Sequence, residues 1–104
     1  MFAVNDLQRF DEAKALMRKM TPAARRVLGD KDRLTLKIRW AYGLSLYKDA
    51  GATLDDLREA VTTLEGTEPT ARRVLGGNHP VTNDIDESLR EARAALRARE
   101  TPDA

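Results

Sequence analysis

His79 is the single histidine of the chain and the residue best suited by type to general acid–base work. Such work needs a partner of suitable pKa within hydrogen-bond reach, and the sequence offers little to supply one. There is no cysteine, and Ser45 and Ser88, the two serines, sit on no nucleophile-elbow pattern. One histidine is also a poor start for a zinc site, which takes three or four protein ligands. Asp55, Asp56 and Glu59 cluster enough carboxylate to interest a hard cation, but they lack the spaced oxygen ligands and turn glycine of a calcium loop. Negative charge placed at a helix N-terminus explains them better. Gly76-Gly77 has no following Lys-Ser/Thr and is no phosphate loop. The expectation is a chain without enzymatic activity, cofactor or metal.

The histidine sits in a duplicated context. Ala24 to Arg33 reads ARRVLGDKDR and Ala71 to Pro80 reads ARRVLGGNHP, so ARRVLG recurs 47 positions on. At the same offset Glu12-Ala13 meets Glu59-Ala60, Pro22 meets Pro69, Thr35 meets Thr82 and Ile38 meets Ile85. Ordered, gapless matches of this kind mark an internal repeat. The position of His79 falls on Asp32 in the other copy, which argues for a structural joint. The paired arginines, Arg25-Arg26 and Arg72-Arg73, could contact an anion or an acidic peptide. Favourable placement at helix C-termini is the simpler account of them.

Composition narrows the class further. A chain of 104 residues makes one small domain. Hydrophobic residues at 41% and charged residues at 34%, with few glycines and prolines, favour a folded, well-solvated, helical protein. No apolar run approaches the roughly 20 residues of a membrane span, and Met1-Phe2-Ala3-Val4 is too short and uncharged for a signal peptide. A cytoplasmic protein is the default expectation. Residues 1–48 carry 11 Lys+Arg against 5 Asp+Glu, and residues 49–65 carry 1 against 5. A nucleic-acid binder usually shows a stronger imbalance; a helical repeat binding RNA or DNA through the basic half is a weaker reading.

The elements that must position these residues read as helices throughout. In residues 10–28, Phe10, Ala13, Leu16, Met17, Met20, Ala24, Val27 and Leu28 recur at three- and four-residue steps, as one helical face requires. Asp11 and Glu12 favour its start and Gly29 its stop, and Pro22 should kink or divide it. Residues 33–48 carry two stripes, Leu34-Ile38-Tyr42-Leu46 and Leu36-Trp40-Leu44-Tyr47, so that helix needs neighbours on two sides. DAGAT, residues 49–53, is a turn, and Thr53 is a good N-cap for a helix over 54–65. Gly66 and Pro69 interrupt that helix, and residues 70–75 resume it. A last helix over 81–99 has a single stripe, Val81-Ile85-Leu89-Ala92-Leu96, as a terminal capping helix should. TPDA at the end is expected to fray.

LGGNHPVT, Leu75 to Thr82, lies between helix-forming stretches, the first ending in ARRVLG. In this it resembles the joint of the long tetratricopeptide (TPR) repeats of kinesin light chains and related proteins. LGDKDRLT, Leu28 to Thr35, keeps Leu, Gly and Thr of that pattern and lacks His-Pro. Residues 11–29 resemble the second helix of such a unit, and residues 41–51 the first, with Gly43 at a small-residue position. The 47-residue unit is longer than usual for the family, with the extra residues near GATLDDL, and Ala41 stands where asparagine is common. MFAVNDLQ would be the stump of a preceding helix.

The resemblance implies an all-α fold of antiparallel helix hairpins stacked as a short right-handed solenoid. Residues 1–29 would be a partial first repeat, 30–76 a complete repeat and 77–100 the first helix of the next, capping the stack. It implies a scaffold that binds a protein or peptide on its concave face, where Lys37, Trp40, Leu44, Tyr47 and Lys48 would lie beside Asp84, Glu87 and Glu91. Lys37 and Lys48 would suit acidic groups on the partner. No nucleic acid or membrane is expected as partner. Trp40 and Tyr47 have a competing reading as core between repeats. The alternative function is a self-associating unit that forms a homo-oligomer through its exposed end helices.

Overall fold

Among the described residues the chain forms four helices and no strand: α1 (Phe2–Val27), α2 (Arg33–Tyr47), α3 (Leu54–Leu75) and α4 (Pro80–Glu100). The computed structural model describes residues 2–100, with side chains from residue 11 onward; the tail at 101–104 lies outside them. Each helix packs on the next, and α2 also touches α4. The extents are 39 × 33 × 22 Å, so the shortest dimension is about two helix diameters of ~10–12 Å each.

The two joints between α1 and α2 and between α3 and α4 are one design used twice. Gly29 and Gly76 stop their helices at φ 90° and 102°, a region L-side chains rarely adopt. The Gly29 amide donates to the Arg25 carbonyl at 3.1 Å, and the Gly76 amide to the Arg72 carbonyl at 3.1 Å. Three residues on, the Asp32 and His79 amides donate back to the Gly29 and Gly76 carbonyls. The hydroxyls of Thr35 and Thr82, both buried, donate to the carbonyls of Ala24 and Ala71, each at 3.3 Å. Every one of these pairs is separated by the offset read in the sequence. The joint thus sews the start of one helix to the end of the one before.

α2 is the helix apolar on two sides, and the core forms around it. Leu36, Tyr42 and Leu46 join Ala60, Leu64 and Ala71 of α3 and Ile85, Leu89 and Ala92 of α4 in one buried cluster. α2 and α3 approach closely at Gly43, where an added Cβ would come within 2.8 Å of Cγ and Cδ2 of Leu64. The α2–α3 turn ends in a capping box. The Thr53 hydroxyl accepts from the Asp56 amide, and the Asp56 carboxylate accepts from the Thr53 amide. Burial pushes the Asp56 carboxyl up. The Thr53 amide and Lys14, 3.6 Å away on α1, outweigh that and hold it below the ordinary aspartate value.

Four expectations need correction. MFAVNDLQ is no separate stump: from Phe2 its backbone belongs to α1, and Asp11 and Glu12 lie inside that helix. Pro22 does not divide α1, and neither Gly66 nor Pro69 interrupts α3. Both prolines are exposed, so the carbonyls they leave without an amide partner lie on the hydrated side, while buried neighbours such as Ala24, Leu64 and Ala71 hold the other side in place. The α1 face is only part core. Ala24 is buried and Ala13 and Met17 half-buried, but Leu16, Met20, Val27 and Leu28 are exposed; Phe10 lies outside the described side chains. Leu34 leaves its stripe as well and is 52% exposed.

Candidate functional site

Of the sequence-derived candidates, Trp40, Tyr47 and Lys48 of α2 reach α4, and Glu91 receives two of them. Lys37, Trp40, Leu44, Tyr47 and Lys48 share one face of α2 by their three- and four-residue spacing. The Trp40 indole nitrogen donates to the Ser88 hydroxyl at 3.0 Å, and the Tyr47 hydroxyl donates to Glu91 at 2.6 Å. Lys48 lies 3.8 Å from the same Glu91 and 5.8 Å from the centre of the Tyr47 ring. Its place at the C-cap of α2 also suits a positive charge. Burial, then the bond to Glu91, pushes the Tyr47 phenol up to about 12.

Trp40 and Tyr47 are therefore neither free groove residues nor full core. Both are half-buried, pack against the central cluster and use their polar ends to tie α2 to α4. Leu44 is half-buried beside them, and Lys37, Lys48, Glu87 and Glu91 are exposed. Among the described residues Lys37 and Glu87 make no ion pair. Asp84 is exposed near the start of α4.

His79 is a cap. It immediately precedes Pro80, the first residue of α4, and its Nδ1 accepts from the Val81 amide at 3.1 Å. Asp32 does the same for α2, accepting from the Leu34 amide at 2.8 Å. An accepting Nδ1 fixes the tautomer with hydrogen on Nε2. Pro80 has no amide hydrogen to leave unpaired at the first helical position. Among the described residues no group of three or more His, Cys, Asp or Glu could hold a metal ion, and no helix is long and apolar enough to cross a membrane.

A second cluster was not foreseen. Arg18 of α1 donates to the Tyr42 hydroxyl of α2 at 3.1 Å, Tyr42 donates to Glu59 of α3, and Arg18 lies 3.5 Å from Glu59. Three successive helices are pinned by these three side chains. Burial, then the bond to Glu59, pushes the Tyr42 phenol up. The bond to Tyr42 and the charges of Tyr42 and Glu59 raise Arg18. Nothing in the sequence pairs residues so far apart. Ser88 did leave a signal: it lies on the apolar stripe of α4, three residues after Ile85, where a hydroxyl needs a partner.

The other unforeseen surface is apolar. Met20, Ala23, Ala24, Val27 and Leu28 of α1 and its end face Leu34 and Ile38 of α2 across a shallow groove of about 290 Å³. Val27 is 75% exposed.

Neither a protein-family model, nor a curated protein, nor a solved structure matches the chain.

Proposed function

We propose that the chain is a non-enzymatic helical-repeat module of tetratricopeptide type, which binds a protein or peptide partner on the surface shared by α2 and α4. The observation that carries this reading is the side-by-side contact of α2 with α4, the two helices that begin equivalent units. At that contact Trp40, Tyr47 and Lys48 of α2 meet Ser88 and Glu91 of α4. The tied pair Trp40 and Tyr47 forms a rigid floor, and Lys37, Leu44, Lys48 and Glu87 are the side chains a partner would meet. A preformed floor lowers the ordering cost of binding an extended or helical peptide. An acidic partner segment would find Lys37 and would compete with Glu91 for Lys48.

The test is a peptide array of acidic and basic sequences, followed by amide chemical-shift mapping of the best binders on the full chain. Shifts centred on Lys37, Leu44 and Lys48, with binding lost in Lys37→Glu/Lys48→Glu, support the reading. Shifts centred elsewhere, or binding indifferent to that double substitution, refute it.

A further inference from the structure

The apolar end of the molecule, formed by α1 and the start of α2, has an internal reference for what covers it. Met20, Val27, Leu28 and Leu34 correspond through the repeat to Thr67, Val74, Leu75 and Val81. In the second unit Thr67 is fully buried, and Leu75 and Val81 pack against the core. Val74 is 41% exposed where Val27 is 75% exposed. A helix lies over the α3–α4 pair: α2 packs on α3 and also touches α4, and its Leu36, Tyr42 and Leu46 share one buried cluster with Leu64 and Ala71 of α3 and with Ile85, the equivalent of Ile38. The first unit presents the same kind of face with nothing on it among the described residues.

The rim of that face is positive. Lys19 and Arg26 flank Met20 and Val27 on α1, Lys31 lies in the turn after Leu28, and Lys37 follows Leu34 by one turn. All four are exposed, and none makes an ion pair among the described residues. The acidic residues of this end are occupied: Asp30 by Arg25 at 2.6 Å, and Asp32 by the Leu34 amide. Glu12 lies about two turns further along α1.

We propose that this groove docks an amphipathic helix from a partner protein, with an apolar stripe seated between Val27 and Leu34 and acidic residues flanking it. The internal repeat argues for the helix, and the unpaired basic rim argues for the acidic flanks. A second copy of this chain fits less well. Two such faces brought together would oppose their own positive rims. The repeat places no matching apolar side on α4 either. On α4 the positions equivalent to Leu36, Arg39, Trp40, Gly43 and Leu46 are Asn83, Asp86, Glu87, Arg90 and Arg93. A flat anionic membrane would satisfy the charge but not fill a groove between two helices.

The proposal is tested with the full chain and two synthetic helices of about 18 residues. Both carry leucines at helical spacing; one is flanked by glutamates and the other by lysines. The glutamate helix should bind, with the lysine helix at least roughly tenfold weaker. Val27→Glu and Leu34→Glu, both at exposed positions, should each weaken binding roughly tenfold or more while thermal melts stay unchanged. Lys19→Glu/Arg26→Glu alters side chains that hold nothing in the fold, and it should abolish the preference for glutamate flanks. No binding of the glutamate helix, or equal binding by these variants, overturns the proposal. So would a dimer in sedimentation that Val27→Glu dissociates, which makes the occupant a second copy. So, finally, would binding to phosphatidylserine vesicles with no binding to either helix.

Discussion

Asp32 and His79 are chemically unlike residues that do one job at equivalent places. Each precedes a helix, and each accepts through its side chain from the amide two residues on, at 2.8 Å and 3.1 Å. Each also donates its own amide to the glycine carbonyl three residues back. The equivalence settles what the lone histidine does for the fold. It satisfies one of the amides a helix start leaves without a partner.

Removing either cap should therefore cost similar stability. Asp32→Ala and His79→Ala are each expected to lose about 1 kcal/mol, the usual scale for an N-cap. His79→Asp, which copies the first joint into the second, should be neutral or slightly stabilising. Urea unfolding of the three variants measures this, and a large loss in His79→Asp would show that the imidazole has a second task.

Gly43 should not tolerate a side chain. Alanine would gain about 1 kcal/mol of helix propensity, but its Cβ would meet Leu64 at 2.8 Å. Overpacking of this kind costs about 1–3 kcal/mol. Gly43→Ala should be destabilised on balance, and Gly43→Ala/Leu64→Ala should show a non-additive recovery of the overpacking part in a double-mutant cycle.

Trp40→Ala should destabilise the fold by about 2 kcal/mol, below the ~3–5 kcal/mol of a fully buried tryptophan because Trp40 is only half-buried. Ser88→Ala should cost about 1 kcal/mol through the lost indole bond. Thermal melts of the single and double variants separate packing from hydrogen bonding. A Trp40→Ala protein as stable as the parent would mean the residue is held for a ligand alone.

Much of this architecture was legible because the chain states it twice. The recurrence of ARRVLG located both joints, and the double stripe on residues 33–48 located the central helix. Thr53 announced itself as the N-cap of α3. The continuity of α1 and α3 was not legible, because local rules treat proline as a breaker. Its tolerance depends on which side of the helix is wet, a tertiary fact. The exposed faces of α1 and Leu34 were hidden for the opposite reason. Periodicity shows which residues share a face, and only the presence or absence of a neighbour decides whether that face is core. The candidate site followed from the resemblance and from spacing on α2. The bonds to Ser88 and Glu91 are long-range and had no local signature beyond a serine on an apolar stripe.

Tyr47 supplies a pH-dependent handle on the seam between α2 and α4. Its phenol is pushed from an ordinary 10.0 up to about 12, first by burial and then by the bond to Glu91. A raised folded-state value means the folded chain holds this proton where the unfolded chain has released it. The associated stability is complete below pH about 10 and is lost as pH rises toward about 12. Tyr42 is raised in the same direction and adds to the fall. Stability measured by urea unfolding should therefore decline across this window. In Tyr47→Phe the neutral-pH stability should drop by about 1 kcal/mol for the lost hydrogen bond, and the alkaline decline should become shallower. Tyrosinate absorbance should show one late-titrating phenol missing from that variant. An unchanged alkaline slope would mean the Tyr47 hydroxyl is solvated in solution and does not tie α2 to α4.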